Sequence, residues 1–130
     1  MGGNLMNEDY VSFEVAKLLK EKGFDWFCEK SYIENDEHDY EPNGEVLAYV
    51  GFIYYKKPTL YVAQKWLRVE KDIHIMIDVC ASGYYAVLWK TNGTFIKTLA
   101  DKGPNDGGVW STYEEALQTG ILESLKLICQ

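Results

Sequence analysis

The amino-acid sequence predicts an α+β protein: an antiparallel sheet, made of an N-terminal hairpin and a three-strand meander, packed with three helices in the order αββαβββα. Three observations predict this class. Capping residues precede apolar stripes at helical spacing, alternating apolar runs mark strands, and short turn-forming segments join neighbouring strands. At 130 residues, the chain is expected to form a single globular domain over 1–130.

The first helix and a hairpin are expected in the N-terminal third. Ser12 is a good N-cap, and Gly23 suits the position just past the helix end. Two strand-like runs follow, at about 26–33 and 46–55. The segment between them, 34–45, is rich in acidic and turn residues. Because its like charges repel one another, we expect mobility there.

The second helix is expected to begin after Thr59, which follows Pro58, and to run to about Glu70. Apolar residues at helical spacing predict the face that it buries. That stripe consists of Val62, Ala63, Trp66, Leu67 and Val69.

A three-strand meander is predicted at 73–80, 84–91 and 94–99. Asn92-Gly93 is typical of a two-residue hairpin turn, which would pair Trp89 with Ile96. Ala81-Ser82-Gly83 fits a three-residue loop with Gly83 left-handed, which would pair Cys80 with Tyr84. These registers predict one apolar face made of Ile75, Ile77, Val79, Tyr85, Val87, Trp89 and Ile96. The opposite face would carry His74, Met76, Asp78, Ala86, Leu88, Lys90, Phe95 and Lys97, with His74 across from Lys90.

The last helix is expected to open with a capping box at Ser111-Thr112-Tyr113-Glu114. Its predicted apolar stripe, which should cover the apolar sheet face, is Tyr113, Leu117, Ile121, Leu125 and Ile128. A row of small residues runs beside it: Ala116, Gly120 and Ser124. Gly120 indicates a close approach. Tight packing on the sheet is the favoured interpretation, and a helix–helix dimer contact is the alternative.

Charge and cysteine usage bound the partners and the compartment. The net charge is −7; residues 1–57 carry six Lys and twelve Asp/Glu, and residues 58–130 carry six Lys, one Arg and eight Asp/Glu. This acidity disfavours nucleic acid and anionic membrane surfaces. Three cysteines without a C-x-x-C pair favour reduced thiols in the cytoplasm. We see no secretory signal and no apolar stretch long enough to span a membrane.

No catalytic, cofactor-binding or metal-binding residue is predicted. His74 and Asp78 would lie roughly 13 Å apart along one strand, too far for a direct pair. His38 lies among acidic residues, but the segment lacks the ligand spacing of a calcium loop. No phosphate-binding or dinucleotide motif is present, and we expect no cofactor. The residues singled out for interaction are Trp110, Gly120, His74 and Lys90, although a helix-start staple is the commoner role for Trp110.

Three segments of the sequence form a recognisable set: Tyr10-Val11-Ser12-Phe13-Glu14-x-Ala16-Lys17-Leu18-Leu19-Lys20-Glu21-Lys22-Gly23-Phe24, then Pro58-Thr59-Leu60-x-x-Ala63-x-Lys65-Trp66-Leu67-Arg68 with Ile73-His74-Ile75, and Thr112-Tyr113-Glu114-Glu115-Ala116. Together they resemble a group of short proteins from gut Bacteroides-type bacteria and their phages or integrated elements. The resemblance implies a context, an accessory protein of a phage or mobile element. It carries over no functional residue and no mechanism.

Three classes of function remain open. We favour a non-enzymatic domain that binds another protein or a second copy of itself, because aromatic residues are abundant and are favoured as interface anchors. The first alternative is a nucleic-acid module, since helix, three strands and helix match the topology of double-stranded-RNA-binding domains; the charge disfavours it. The second is a small enzyme that uses His74.

Overall fold

A computed structural model describes residues 9–34, 39–40 and 52–129. These residues form three helices and two antiparallel sheets, joined by turns and loops. This confirms the α+β class. The elements are α1 (Phe13–Glu21), β1 (Ser31–Ile33), β2 (Asp39–Tyr40), β3 (Tyr54–Lys56), α2 (Leu60–Lys71), β4 (His74–Cys80), β5 (Gly83–Trp89), β6 (Phe95–Leu99) and α3 (Tyr113–Leu127). The N-terminal strands form their own sheet, in the order β2-β1-β3, and the meander forms a second sheet, β4-β5-β6.

The first sheet is shorter than the sequence predicts. The run expected from about residue 26 becomes a strand only at Ser31, and β3 pairs with β1 over three residues. A two-residue strand, β2, lies within the acidic segment 34–45 and pairs with β1. His38, most of that segment, its expected mobility and the predicted strand residues 46–51 lie outside the described residues.

Side-chain caps start all three helices. The hydroxyl groups of Ser12 and Thr59 accept from the backbone N–H groups of Val15 and Val62, both at 3.2 Å. At α3 the capping box is formed by Thr112 and Glu115, one residue later than the predicted pair. The backbone of Thr112 is extended, so its side chain reaches the N–H of Glu115 at 3.0 Å.

The buried stripe of α2 differs from the predicted one at its edges. Leu60, Ala63, Trp66 and Leu67 are buried, Val62 is half-buried, and Val69 is exposed. Val69 lies beside the stripe rather than in it, so its prediction as a buried residue is wrong. The core that these residues join draws from all three helices and both sheets.

The register between β4 and β5 is one residue away from the predicted one. Cys80 pairs with Gly83 across a two-residue turn, and His74 pairs with Trp89 rather than with Lys90. Gly83 belongs to the strand: a Cβ there would lie 2.1 Å from the carbonyl oxygen of Trp110, whose backbone pairs with Tyr84. The predicted three-residue turn is therefore wrong, and glycine is required at position 83 both by this close approach and by its positive φ of 148°.

A shift of one residue exchanges the faces of one strand relative to its neighbour. The predicted apolar face is therefore wrong for β5. Ile75 and Ile77 share their face with Ala86 and Leu88, whereas Tyr85, Val87 and Trp89 share the other face with His74, Met76 and Asp78.

A bulge separates two registers between β5 and β6. Lys90 N–H donates to Thr94, which leaves a three-residue turn with Gly93 at φ 95° in place of the predicted two-residue one. Trp89 therefore pairs with Phe95 and not with Ile96. The bulge lies between Trp89 and Leu88. Beyond it, Leu88 pairs with Lys97, which is the register that the predicted two-residue turn implied.

The small-residue side of α3 lies against the second sheet. Ala116, Gly120 and Ser124 are fully buried together with Leu117, Ile121 and Leu125, while the predicted stripe residue Tyr113 is exposed. A Cβ at Gly120 would lie 2.9 Å from Ile75 Cγ2 and 3.3 Å from Ala86 Cβ. The structure thus places Gly120 in the tight sheet contact, the first of its two interpretations.

Replacement of Gly120 by leucine should destabilise the protein. A branched side chain at this contact must displace Ile75, Ala86 or the helix, and overpacking of this kind costs about 1–3 kcal/mol. We expect the melting temperature of Gly120→Leu to fall by several degrees in a thermal melt followed by circular dichroism. Lys126→Leu, at an exposed position of the same helix, is the control. A melt of Gly120→Leu equal to that of the wild type would contradict the close contact.

Candidate interaction surface

The side of the second sheet that faces away from α3 carries apolar and aromatic side chains. We call it the outer face; it consists of His74, Met76 and Asp78 on β4, Tyr85, Val87 and Trp89 on β5, and Phe95 and Thr98 on β6. Met76 is 37% exposed and Phe95 is 54% exposed. Antiparallel sheets usually turn polar residues to water, so this composition is unusual for a solvated face.

Aromatic packing stiffens one end of the outer face. The rings of Trp89 and Phe95, which pair across β5 and β6, meet edge to face with centroids 5.6 Å apart. Trp89 Nε1 is buried and has no hydrogen-bond acceptor among the described residues. A buried indole N–H without an acceptor lowers the stability of the folded state, because the group has lost its hydrogen bond to water without gaining another.

A shallow depression of 370 Å³ lies at the same end. It is lined by Arg68, His74, Met76, Trp89, Lys90, Thr91 and Gly93. His74 and Lys90 therefore lie beside one depression, but they do not pair across the strands as predicted. None of the described residues that line it carries a carboxylate, so its polar groups are mostly donors and cations.

Lys90 and Thr91 are held by the end of α2. Lys90 Nζ lies 3.8 Å from a carboxylate oxygen of Asp72, and both side chains are about half exposed. The other oxygen of Asp72 accepts from the backbone N–H of Thr91 at 2.9 Å and from the Thr91 hydroxyl group. These two hydrogen bonds, with the larger effect from the hydroxyl group, lower the pKa of Asp72 below its ordinary value of 3.8. Desolvation opposes this shift, and Lys90 adds a smaller lowering effect.

Asp78 lies at the opposite end of the outer face from His74. Its carboxylate accepts from the backbone N–H of Val79 at 2.8 Å and from the Tyr85 hydroxyl group at 3.2 Å. The hydrogen bond to the carboxylate and its charge raise the pKa of Tyr85. Asp78 is thus an exposed anion with a fixed orientation, separated from His74 by two full repeats of the strand.

Trp110 belongs to a different surface. It is half-buried and lines a groove of 560 Å³ at the start of α3, together with Asp9, Leu60, Thr112, Glu114, Glu115, Gln118 and Thr119. Three carboxylates and no Lys or Arg are among these described residues. Glu115 caps α3, and Glu114 accepts from the Tyr61 hydroxyl group at 3.3 Å. A phosphate would be repelled here.

Two side chains with potential for catalysis, Cys28 and Lys57, line a shallow pocket of 290 Å³ beside Tyr10. Burial raises the pKa of the Cys28 thiol, with a smaller opposing effect of Lys56, and the reactive form of cysteine is the thiolate. Lys57 is buried, with its ammonium group 4.9 Å from the ring centre of Tyr10 and 5.0 Å from that of Tyr32. Among the described residues, no group of three His, Cys, Asp or Glu side chains could hold a metal ion.

The structure brings together two of the four residues singled out from sequence. His74 and Lys90 share the depression, Trp110 lies in the acidic groove, and Gly120 is buried under the sheet. Sequence reasoning missed Trp89 and Arg68. Trp89 was assigned to the wrong face, and no local signal places Arg68 of α2 beside β4. Only the general abundance of aromatic residues hinted at such a surface.

Comparison with known proteins gives no relative: no family model, curated protein or solved structure matches this chain. Of the helices in the described part of the chain, none combines the length and the apolarity required to cross a membrane.

The Asp72 carboxyl group should titrate below its ordinary pKa. Because the pKa is lowered on folding, the stabilisation is present above the unfolded value and is lost as the pH falls through the folded one. An NMR pH titration of the Thr91 amide, which donates to Asp72, should therefore show a midpoint below 3.8. In Thr91→Val, which lacks the hydroxyl donor, the midpoint should rise. A wild-type midpoint at or above 3.8 would contradict the hydrogen bonds.

Proposed function

We propose that this protein is a non-enzymatic protein-binding domain and that the outer face is its contact surface. The observation that carries the proposal is the row of apolar and aromatic side chains on the sheet face that points away from α3, with Met76 and Phe95 exposed. Aromatic residues, Met and Arg are the types enriched in the buried centres of interfaces.

The physical properties of the outer face suit a firm contact. Its residues come from three hydrogen-bonded strands, so a partner would meet a surface with little backbone freedom to lose. Val87 is already buried between its neighbours, while Met76 and Phe95 project enough to enter a partner. The polar residues His74 and Asp78 lie at the two ends, which gives the apolar centre a polar rim, as interfaces generally have.

The two alternatives have weaker support. Glu114 and Glu115 occupy the first turn of α3, where a double-stranded-RNA-binding domain would need cations for phosphate. A catalytic His74 would need an acid or base beside it, and its cross-strand neighbour is Trp89 while Asp78 is engaged by Tyr85 and Val79. Both observations favour binding of protein over the other two classes.

We place this function in the cytoplasm and in an accessory protein of a phage or mobile element. The first part is supported by the free thiols: Cys80 and Cys129 are exposed and unpaired, a state that reducing compartments preserve. The second part is supported by the resemblance of the three segments described above.

Photo-crosslinking in cells tests the proposal. A benzoylphenylalanine residue in place of Phe95 should give covalent protein adducts on irradiation, because it lies in the contact surface. Tyr61, exposed beside the acidic groove, is the control position and should give few adducts. The adduct masses identify either another protein or a second copy. Adducts only from position 61, or none from position 95 in a folded variant, would contradict the proposal.

A further inference from the structure

The two ends of the outer face, compared along the strands, carry charges of opposite sign. Arg68, His74 and Lys90 surround the depression at one end, and Asp72 offsets one of the two cationic charges. That end therefore carries about one net positive charge. Asp78, four residues along β4, gives the other end one negative charge. At about 3.3 Å per residue, the two ends are roughly 13 Å apart.

The centre between these ends is apolar. Met76 lies midway between His74 and Asp78 on β4, and it pairs with Val87 on β5. The rows of the face thus read His74 with Trp89, Met76 with Val87, and Asp78 with Tyr85. A surface with a positive end, an apolar centre and a negative end is complementary to itself when one copy is reversed.

We infer that the occupant of the outer face is a second copy of this chain, related to the first by a two-fold axis. The axis lies between the outer faces of the two copies, runs perpendicular to the strands, and passes over the row of Met76 and Val87. This inference rests on the proposed use of the outer face for binding. The axis places Asp78 of each copy over the depression beside His74 of the other. Met76 then faces Met76 of the second copy, and Trp89 faces Tyr85.

The charge pattern selects this axis over the alternative. A two-fold axis parallel to the strands would also bring the two outer faces together, but it would place each row over the same row of the second copy. The two cationic ends would then lie together, and so would the two Asp78 side chains, with like charges opposed at both ends. The perpendicular axis opposes unlike charges twice, because every contact of a two-fold interface is repeated.

The local hydrogen bonds suit this contact. Asp78 is oriented by Val79 and Tyr85, and a carboxylate has lone pairs for further donors. Arg68 and Lys90 can supply those donors from the depression of the second copy. Two sheets packed face to face lie about 10 Å apart with their strands within about 30° of each other, so the apolar side chains of Met76 and Phe95 can reach across the gap.

Dimerisation of charge-reversal variants, measured by sedimentation velocity over concentrations from micromolar to millimolar, tests the inference. The wild type should approach twice the mass of one chain as the concentration rises. Asp78→Lys and Arg68→Glu should each weaken the dimer by about tenfold or more, because each opposes like charges twice. The double variant should recover most of the loss, since the two introduced charges are of opposite sign and face each other across the interface. Asp106→Lys, an exposed charge reversal elsewhere, should leave the dimer unchanged.

Each outcome decides the inference. A wild type that stays monomeric at millimolar concentration overturns it, and so does a dimer that Asp78→Lys leaves intact. A double variant no better than the weaker single variant overturns the proposed axis. Circular dichroism melts show whether each variant is folded. If the wild type is monomeric while position 95 crosslinks to a different protein, this inference fails and the proposed binding function stands.

Discussion

The contact between Gly120 of α3 and the side chains of Ile75 and Ala86 sets the arrangement of the molecule. With no Cβ at Gly120, the backbone of α3 comes so close to the sheet that an added carbon would lie 2.9 Å from Ile75. The same helix packs against α1 and α2, so its position on the sheet fixes the other two helices as well. A bulkier residue at position 120 would push α3 away from the sheet and disturb its packing with α1 and α2.

That contact also decides which side of the meander meets water. Because α3 covers the side that carries Ile75, Ala86 and Leu88, the side that carries Met76 and Phe95 faces away from it. The apolar residues of that side belong to the types that interfaces use. The two ends of the side carry opposite charges, positive at Arg68 and Lys90 and negative at Asp78. The proposed contact surface is thus a consequence of how the core is packed, and needs no cleft or cofactor.

The sequence predicted the elements well and their registers less well. Caps such as Ser12 and Thr59 are local signals, so the starts of α1 and α2 could be identified. Gly83 is different: its role depends on Trp110, which lies far along the chain, and the local pattern fitted a turn glycine equally well. One misplaced glycine shifted the register by one residue and moved Trp89 to the wrong face.

The candidate site was predictable only in part, for the same reason. His74 and Lys90 could be proposed as neighbours, because they lie at matching ends of adjacent predicted strands. Arg68 joins them only through the packing of α2, which no local pattern reports. The charge difference along the outer face therefore became visible only once the helices and the sheet were placed together.

Hydroxyl-radical footprinting across a concentration series reports where two copies of the chain meet as well as whether they meet, and therefore tests self-association through the outer face. If a second copy covers the outer face, Met76 and Phe95 should lose reactivity as the protein is concentrated, while Tyr61 and Leu127, exposed elsewhere on the protein, should keep theirs. Reactivity of Met76 and Phe95 that does not change with concentration, or protection that develops at Tyr61 or Leu127 instead, would contradict self-association through this face.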